Sequence, residues 1–139
     1  MTSEPNSETI ELRFPASTRF IRLSRLTAAT LAAEMGFDVE SADDLRIAVD
    51  ELVTVLVEGD HGKLVTLRFR VEDDRLEVTG ACEQPWPEDG EPSDLLEAIL
   101  AATTDGHEVS AAPRPRSFAF TKYRRSPQPG APEDRGDLA

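Results

Sequence analysis

The sequence predicts an α+β fold, a two-layer sandwich in which a mixed, mainly antiparallel sheet carries helices on one face. Five short runs alternate apolar and polar residues, the two-residue period of half-buried strands, and three other runs have helical spacing. Their order is strand, helix, helix, strand, strand, helix, strand, strand, which clusters helices between antiparallel strands. A chain of 139 residues with 39% hydrophobic content is long enough for one ordinary core.

The first strand and the first helix follow from the start of the chain. The run TIELRFPA alternates apolar and charged residues, and Pro15 ends this strand at an edge of the sheet. Ser17 or Thr18 is the predicted cap of a helix that ends at Gly36. The residues predicted to form its apolar face are Phe20, Leu23, Ala28, Leu31 and Met35.

The second helix is the most apolar run of the chain, DDLRIAVDELVTVLVEG, from Asp43 to Gly59, with Ser41 as its predicted cap. The runs LVTLRFRVE and RLEVTGAC alternate on either side of two aspartates, which predicts a hairpin. The run EQPWPEDGEPSD, rich in proline and acid, predicts a surface loop. Ser93 or Asp94 then caps a short helix, LLEAILAAT, and HEVSA and SFAFTKYR are the last two strands.

The predicted organisation is a flexible N-terminus over residues 1–8, a single domain over 9–125 and a disordered tail over 126–139. No apolar run approaches the roughly 20 residues needed to cross a bilayer. The N-terminus also lacks the basic and apolar regions of a signal peptide. We therefore expect a cytoplasmic protein without a membrane partner.

Composition argues against two further classes of function. The formal net charge of -12 disfavours direct binding to nucleic acid, because neutralising phosphates requires a basic surface. The chain has one cysteine and two histidines, which are too few for an intrachain disulfide or a convincing metal site. Protein or small-molecule partners are the remaining expectation.

The run RLTAATLAAEMGFDVESADDLRIAVDELVTVLVEG, preceded by FPAST, closely resembles the anti-sigma-factor serine kinases of the partner-switching type. These are small ATP-binding proteins of the GHKL superfamily, and the resemblance covers roughly Ile10 to Arg125. It implies the GHKL-type fold. In that family the second helix carries a glutamate that polarises the attacking nucleophile. An asparagine four residues later holds the magnesium that bridges the nucleotide phosphates.

This chain departs from the family's nucleotide motifs. Glu51 matches the glutamate, but Val55 stands where the asparagine belongs, and an isopropyl group cannot ligate Mg²⁺. Cys82 and Gln84 stand where a DxGxG segment has its aspartate and first glycine, and a neutral thiol is a poor acceptor. In place of a glycine-rich lid, PWPEDGEPSDLL contains one glycine, three prolines and four acids.

We therefore predict no cofactor, no metal and no catalytic residue, with Glu51 as a relic in a degenerate pocket formed with Val55, Cys82 and Gln84. Cys82 is expected to be a small buried residue rather than a nucleophile. Trp86 either pins its loop over the pocket or contacts a partner, and a lone tryptophan in a small domain is more often packing.

Three arginines on the first helix are the predicted partner-binding residues: Arg19, Arg22 and Arg25. They form a local positive ridge in a chain with 15 basic and 27 acidic residues, which suits an acidic partner surface. The alternative is an ordinary solvated helix face. The resemblance implies that Arg25 contacts both the sigma factor and its antagonist. A second basic cluster is expected to balance charge around the last strand: Arg114, Arg116, Lys122, Arg124 and Arg125.

The predicted function is an anti-sigma-factor-like regulator that binds a sigma factor, a STAS-type anti-anti-sigma protein, or both, by stoichiometric sequestration. The resemblance also implies a homodimer formed through the sheet edge. One alternative is an active ATP-dependent serine/threonine kinase that phosphorylates an anti-anti-sigma factor with Mg·ATP. It would use Glu51 as base, with Asp50 or Glu58 proposed as replacement metal ligands. Another alternative is a small-molecule sensor whose apolar pocket is lined by Val55, Cys82 and Trp86.

Overall fold

The structure, a computed structural model, describes residues 7–86 and 92–125. Its elements, in chain order, are β1 (Glu8–Pro15), a 3-10 turn (Thr18–Phe20), α1 (Ile21–Met35), α2 (Val39–Val57), β2 (Leu64–Val71), β3 (Arg75–Pro85), α3 (Asp94–Thr103), β4 (Gly106–Val109) and β5 (Pro115–Tyr123). The predicted disordered tail and most of the predicted flexible N-terminus lie outside the described residues, although Glu8 already belongs to β1.

The five strands form one sheet in the order β1-β2-β3-β5-β4. The predicted two-layer α+β architecture is confirmed. Every neighbouring pair in the described sheet is antiparallel, so the sheet is wholly antiparallel there rather than mixed as predicted. Within the described chain β1 lies at one edge, as its proline-terminated pattern predicted.

The core lies between the helices and one face of the sheet. Alternate residues of β2, β3 and β5 are buried, and their neighbours point to the other face, as the two-residue period requires. Most of α2 is apolar, and it supplies the largest helical share of the core. The large side chains that are fully buried include Leu45, Leu52, Leu56, Leu67, Phe69, Leu76 and Leu100. No helix in the described part of the chain is long and apolar enough to span a membrane.

The predicted end of α1 is correct, the predicted cap belongs to the preceding 3-10 turn, and one residue of the predicted apolar face is exposed. Ser17 caps the 3-10 turn, and Gly36 ends α1 with a left-handed φ of 78° that favours glycine. Leu23, predicted to face the core, is 45% exposed. Ala28 is buried as predicted, and Phe20, Leu31 and Met35 are partly buried against the core. Ser24 and Ala32, which were not predicted, are the other buried residues of α1.

Helix α2 begins earlier than the sequence pattern indicated. The predicted cap, Ser41, lies inside the helix and is buried, whereas the Asp38 carboxylate accepts a 2.7 Å hydrogen bond from the Ser41 backbone N–H. The prediction failed because two residues with capping side chains lie three positions apart, and burial of the Ser41 side chain selects Asp38.

The Asp38 cap predicts a pH-dependent contribution to stability. The backbone hydrogen bond from Ser41 is the main cause that lowers the pKa of Asp38. Its contribution is therefore complete above the unfolded-state pKa of about 3.9, and it is lost as pH falls through the lower folded-state pKa. We expect Asp38→Ala to lower the free energy of unfolding by about 1 kcal/mol at neutral pH. Urea unfolding at neutral pH and near the folded-state pKa measures this difference.

Glu40→Ala is the matched control for Asp38→Ala. Glu40 is an exposed acid in the same first turn, but it is not the cap, so its loss changes only the weak interaction with the helix dipole. A stability deficit of Asp38→Ala that is equal at both pH values would contradict the assignment of the cap.

Strand β3 extends beyond its predicted end at Cys82. Regular pairing with β5 is interrupted after Ala81 and resumes at Pro85, opposite Pro115. Residues 83–85 of the predicted loop are therefore strand, and residues 87–91 lie outside the described chain. This irregularity places the end of β3 beside the last turns of α2.

Candidate functional site

The last turns of α2 meet the end of β3 and the start of β5. Glu51 and Val55 are one turn apart on the same side of α2, and both are half-buried. Val55 packs against the core. Glu51 forms no hydrogen bond or ion pair with any residue in the described ranges.

Arg116 lies inside the region where the sequence analysis placed a degenerate pocket. It is only 7% exposed, and its Nη1 donates a 2.9 Å hydrogen bond to the Val55 backbone carbonyl. Its Nε donates to the Pro85 carbonyl at 3.3 Å. The prediction that Arg116 only balances charge is therefore wrong. The sequence could have predicted its burial, because Arg116 lies two residues before Phe118 on β5 and alternate residues of a strand share one face.

Trp86 covers the guanidinium of Arg116. The Arg116 Cζ lies 5.6 Å from the centroid of the Trp86 rings, and Trp86 Nε1 donates a 2.8 Å hydrogen bond to Ser110 Oγ. Ser110 Oγ also donates to the Pro115 carbonyl and accepts from the Ser117 N–H. The half-buried indole is thereby fixed to the β4–β5 hairpin, which matches the packing interpretation of this tryptophan.

Cys82, near the end of β3, is buried. Its Sγ is 3.5 Å from the Leu56 carbonyl and 3.9 Å from the carbonyl of Gln84, within reach of weak thiol hydrogen bonds. Burial is the main cause that raises the pKa of the Cys82 thiol, outweighing the opposing effects of the Gln84 backbone hydrogen bond and of the Arg116 charge. A neutral, buried thiol is a poor nucleophile.

The carbonyl groups at the end of α2 are satisfied by side chains from other segments. His61 Nε2 lies 2.9 Å from the Leu56 carbonyl, while His61 Nδ1 accepts a hydrogen bond from the Lys63 N–H. Because Nδ1 accepts, Nε2 carries the proton and donates to Leu56. Together with Arg116 on Val55, whose carbonyl also accepts the Glu58 N–H at 3.4 Å, these bonds supply partners to carbonyls near the helix terminus.

These residues do not fit the magnesium-nucleotide that the GHKL resemblance implies. Mg²⁺ requires oxygen ligands, and this region presents the Val55 side chain and a protonated Cys82 thiol. The Arg116 donors described above are already bonded to protein carbonyls. Among the described residues, no group of three or more histidine, cysteine, aspartate or glutamate side chains is placed to hold a metal ion.

The three arginines of the first helical segment lie on the surface in different environments. Arg25 donates from Nη2 and Nε to the same oxygen of Asp50, at 2.7 and 3.1 Å, and this ion pair ties α1 to α2. Arg19 stacks 5.0 Å from the ring centroid of Phe20. Arg22 is exposed and has no ion pair within the described ranges.

An exposed apolar surface adjoins Arg22. Leu23 and Leu26 are 45% and 57% exposed. Together with Ile10 of β1 and Leu31 they line a groove of about 280 Å³. The surface of α1 thus combines positive charge with exposed leucine side chains, a composition typical of protein interfaces.

The second predicted basic cluster is divided by the fold. Arg116 and Lys122 point into the protein, whereas Arg114, Arg124 and Arg125 are exposed. Lys122 Nζ lies 3.3 Å from the Asp44 carboxylate of α2. The buried members therefore connect β5 to α2.

Sequence comparison identifies serine-protein kinases among the relatives of this chain. It is 38% identical over 82 residues to serine-protein kinase RsbW of Bacillus subtilis, a match covering 56% of this chain and 51% of the relative. It is 40% identical over 73 residues to RsbW of Bacillus velezensis, covering 50% and 46%. The chain thus spans about half the length of the relatives that it matches. No protein-family model matches it.

Structural comparison gives a consistent result. The structure of the RsbU and RsbW domains of a Mycobacterium tuberculosis protein matches with a TM-score of 0.67 at 16% identity, covering 84% of this chain and 32% of the other. This likeness shows a shared fold. The predicted resemblance to the anti-sigma-factor serine kinases is confirmed, and the chain is RsbW-like in sequence and GHKL-like in fold.

Proposed function

We propose that this RsbW-like chain is a partner-switching regulator that binds a sigma factor, a STAS-type anti-anti-sigma protein, or both, without binding ATP or phosphorylating its partner. Its relatives are named serine-protein kinases, so the proposal separates this chain from them in chemistry. The observation that carries the proposal is the position of Arg116, whose guanidinium is bonded to the backbone of α2 and β3.

A nucleotide in this region would compete with those bonds. Phosphate attracts a guanidinium, but turning Arg116 toward a phosphate would leave the Val55 and Pro85 carbonyls without this donor. Hydrogen bonds to charged groups contribute about 1.5–3 kcal/mol each. Without Arg116 the Val55 carbonyl would keep only the 3.4 Å bond from the Glu58 backbone N–H. With no asparagine at position 55 to recruit magnesium, little interaction energy remains to offset that loss.

The surface of α1 supplies the proposed partner site. Arg22 offers a guanidinium without an intramolecular ion pair in the described chain, and Leu23 and Leu26 offer apolar area beside it. Such a surface suits an acidic partner segment that also carries apolar side chains. β1 has a paired neighbour on one side only in the described sheet, which leaves an edge for the proposed homodimer.

The kinase remains the second candidate, because one observation favours it. Glu51 is half-buried and without a bonded partner among the described residues, as a general base awaiting substrate would be. The kinase candidate lacks a suitable ligand for magnesium. Of the replacement ligands considered, Asp50 is bonded to Arg25, and Glu58 lies beyond the end of α2. The sensor alternative has no supporting observation, since Arg116 lies where its ligand would bind.

Calorimetric titration with MgATP tests the absence of nucleotide binding. We expect no binding heat up to about 1 mM nucleotide, which corresponds to a binding free energy weaker than about -4 kcal/mol. Val55→Asn, which restores the missing metal ligand, is the matched control. This variant is also expected to give no binding heat, because Cys82 and Arg116 are unchanged. Micromolar affinity of the unmodified chain would overturn the proposal.

Partner binding is tested with the sigma factors and STAS-type proteins of the source organism, each purified and passed over the immobilised chain. Saturable one-to-one retention without nucleotide supports sequestration. Transfer of radiolabelled phosphate from ATP to a serine of a STAS-type protein would establish the kinase instead. Retention of none of these proteins would reject the proposed partner class.

A further inference from the structure

We propose that Arg116 is a positioning residue that closes the former nucleotide pocket from within and makes its conformation independent of any small molecule. We call the arrangement the Arg116 clasp: Arg116, Trp86, Ser110 and the carbonyl groups of Val55 and Pro85. The inference deepens the proposed function and depends on it for biological meaning. Its geometry and its test concern the pocket alone.

The clasp joins segments that are far apart in the sequence. Arg116 is 61 residues from Val55 and 31 residues from Pro85, and Trp86 is 24 residues from Ser110. A planar guanidinium presents its N–H groups in a rigid fork, so one arginine can donate to carbonyls on two different elements. A lysine ammonium, a single point on a flexible stem, does not reproduce that fork. The site therefore requires arginine specifically.

Burial makes the contacts of the Arg116 guanidinium necessary to compensate its charge. Arg116 is only 7% exposed, and no carboxylate forms an ion pair with it within the described chain. A buried charge must be compensated by hydrogen bonds and favourable dipoles. Here two carbonyls and the face of the Trp86 indole provide that compensation. Removing the guanidinium would leave both carbonyls without this donor and Trp86 without its stacking partner.

The clasp also helps to position the proposed partner surface on α1. It fixes the last turns of α2, and the same helix carries Asp50, which holds Arg25 of α1 through the ion pair described above. Helix α1 is therefore positioned on an element whose end is fixed by the protein itself. In a regulator released by partner competition, such a surface stays in its binding conformation whatever the nucleotide concentration.

Trp86 reports on the clasp directly, because it is the only tryptophan in the chain. In the unmodified full chain we expect acrylamide to quench Trp86 fluorescence weakly, and addition of about 1 mM MgATP, the limit of the calorimetric test, to leave that quenching unchanged. In Arg116→Ala and Arg116→Lys the quenching constant should rise toward that of free N-acetyltryptophanamide. Arg124→Ala, which removes an exposed arginine just beyond the same strand, should match the unmodified chain.

A second variant keeps the test decisive if an Arg116 substitution prevents folding. Ser110→Ala removes the acceptor of the Trp86 indole N–H and should also increase quenching while far-UV circular dichroism is retained. Unchanged quenching in Ser110→Ala and in each folded Arg116 variant would overturn the clasp and leave the partner-binding proposal standing. If Trp86 is quenched no more in Arg116→Lys than in the unmodified chain, a lysine ammonium suffices at this position. That result would overturn the requirement for a guanidinium. If the unmodified chain binds MgATP while its Trp86 fluorescence is still quenched only weakly, the proposed function is overturned instead.

Discussion

Reversing the charge of Arg22 is expected to reduce partner affinity by at least tenfold, or about 1.4 kcal/mol. In Arg22→Glu a carboxylate would face the acidic surface that the positive α1 surface is proposed to bind, and opposed like charges disfavour association. The exposed Arg22 side chain has no ion pair within the described residues, so the folded state loses little. Surface plasmon resonance with the captured partner, together with thermal unfolding of the variant, separates binding from stability.

Arg124→Glu is the matched control for Arg22→Glu, because it changes the net charge equally at an exposed position beyond β5 that also has no ion pair among the described residues. Arg25→Glu gives a less specific test, although the resemblance favours Arg25, since this substitution also breaks the ion pair with Asp50. Equal affinities of the Arg22→Glu variant and the unmodified chain would show that α1 is an ordinary solvated helix.

Replacing Asp44 by alanine is expected to lower the free energy of unfolding by about 3 kcal/mol. Asp44 on α2 is the carboxylate partner of Lys122, whose side chain is 4% exposed. Without Asp44, the ammonium would stay buried without its counter-charge or would deform the contact between α2 and β5 to reach water. For a domain of this size the corresponding fall in Tm is about 10 °C.

Lys122→Met removes the buried ammonium itself, whereas Asp44→Ala leaves the ammonium buried without its carboxylate partner. Methionine fills a similar volume and removes the buried charge together with its need for a partner, so this variant should be more stable than Asp44→Ala. The Asp44 carboxylate is partly exposed and can be solvated when Lys122 is replaced. Chemical unfolding of both single variants and of the double variant measures the coupling. A Lys122→Met variant less stable than Asp44→Ala would contradict this account.

Several elements were predictable because their signals are local. The alternating runs gave all five strands, and the glycine after Met35 gave the end of α1. The cap of α2 was not predictable in the same way. Asp38 and Ser41 both have capping side chains, and only the tertiary packing that buries Ser41 selects Asp38. Leu23 was misplaced for a related reason, because the fully buried positions of α1 are the small residues Ser24, Ala28 and Ala32, whereas Leu23 is 45% exposed.

The candidate site was only partly predictable. Substitutions at positions 55, 82 and 84 are visible in the sequence as departures from a motif, and they predicted that magnesium would lack a ligand. The role of Arg116 was not predicted, because it depends on the end of β3 resuming its pairing with β5 and bringing the Pro85 carbonyl within reach. Likewise, the partner of Arg25 depends on how α1 packs on α2.

By itself, the sequence determined the fold class, the order of the elements and the presence of valine at position 55, because periodicity and residue identity act over a few neighbouring positions. The tertiary structure decided which charged residues are buried and which groups they bond. Arg116 and Lys122 lie near exposed arginines in the sequence, and only the packing of β5 beneath α2 surrounds their side chains with protein acceptors. Burial of a charge depends on the whole fold, since its partners come from distant segments.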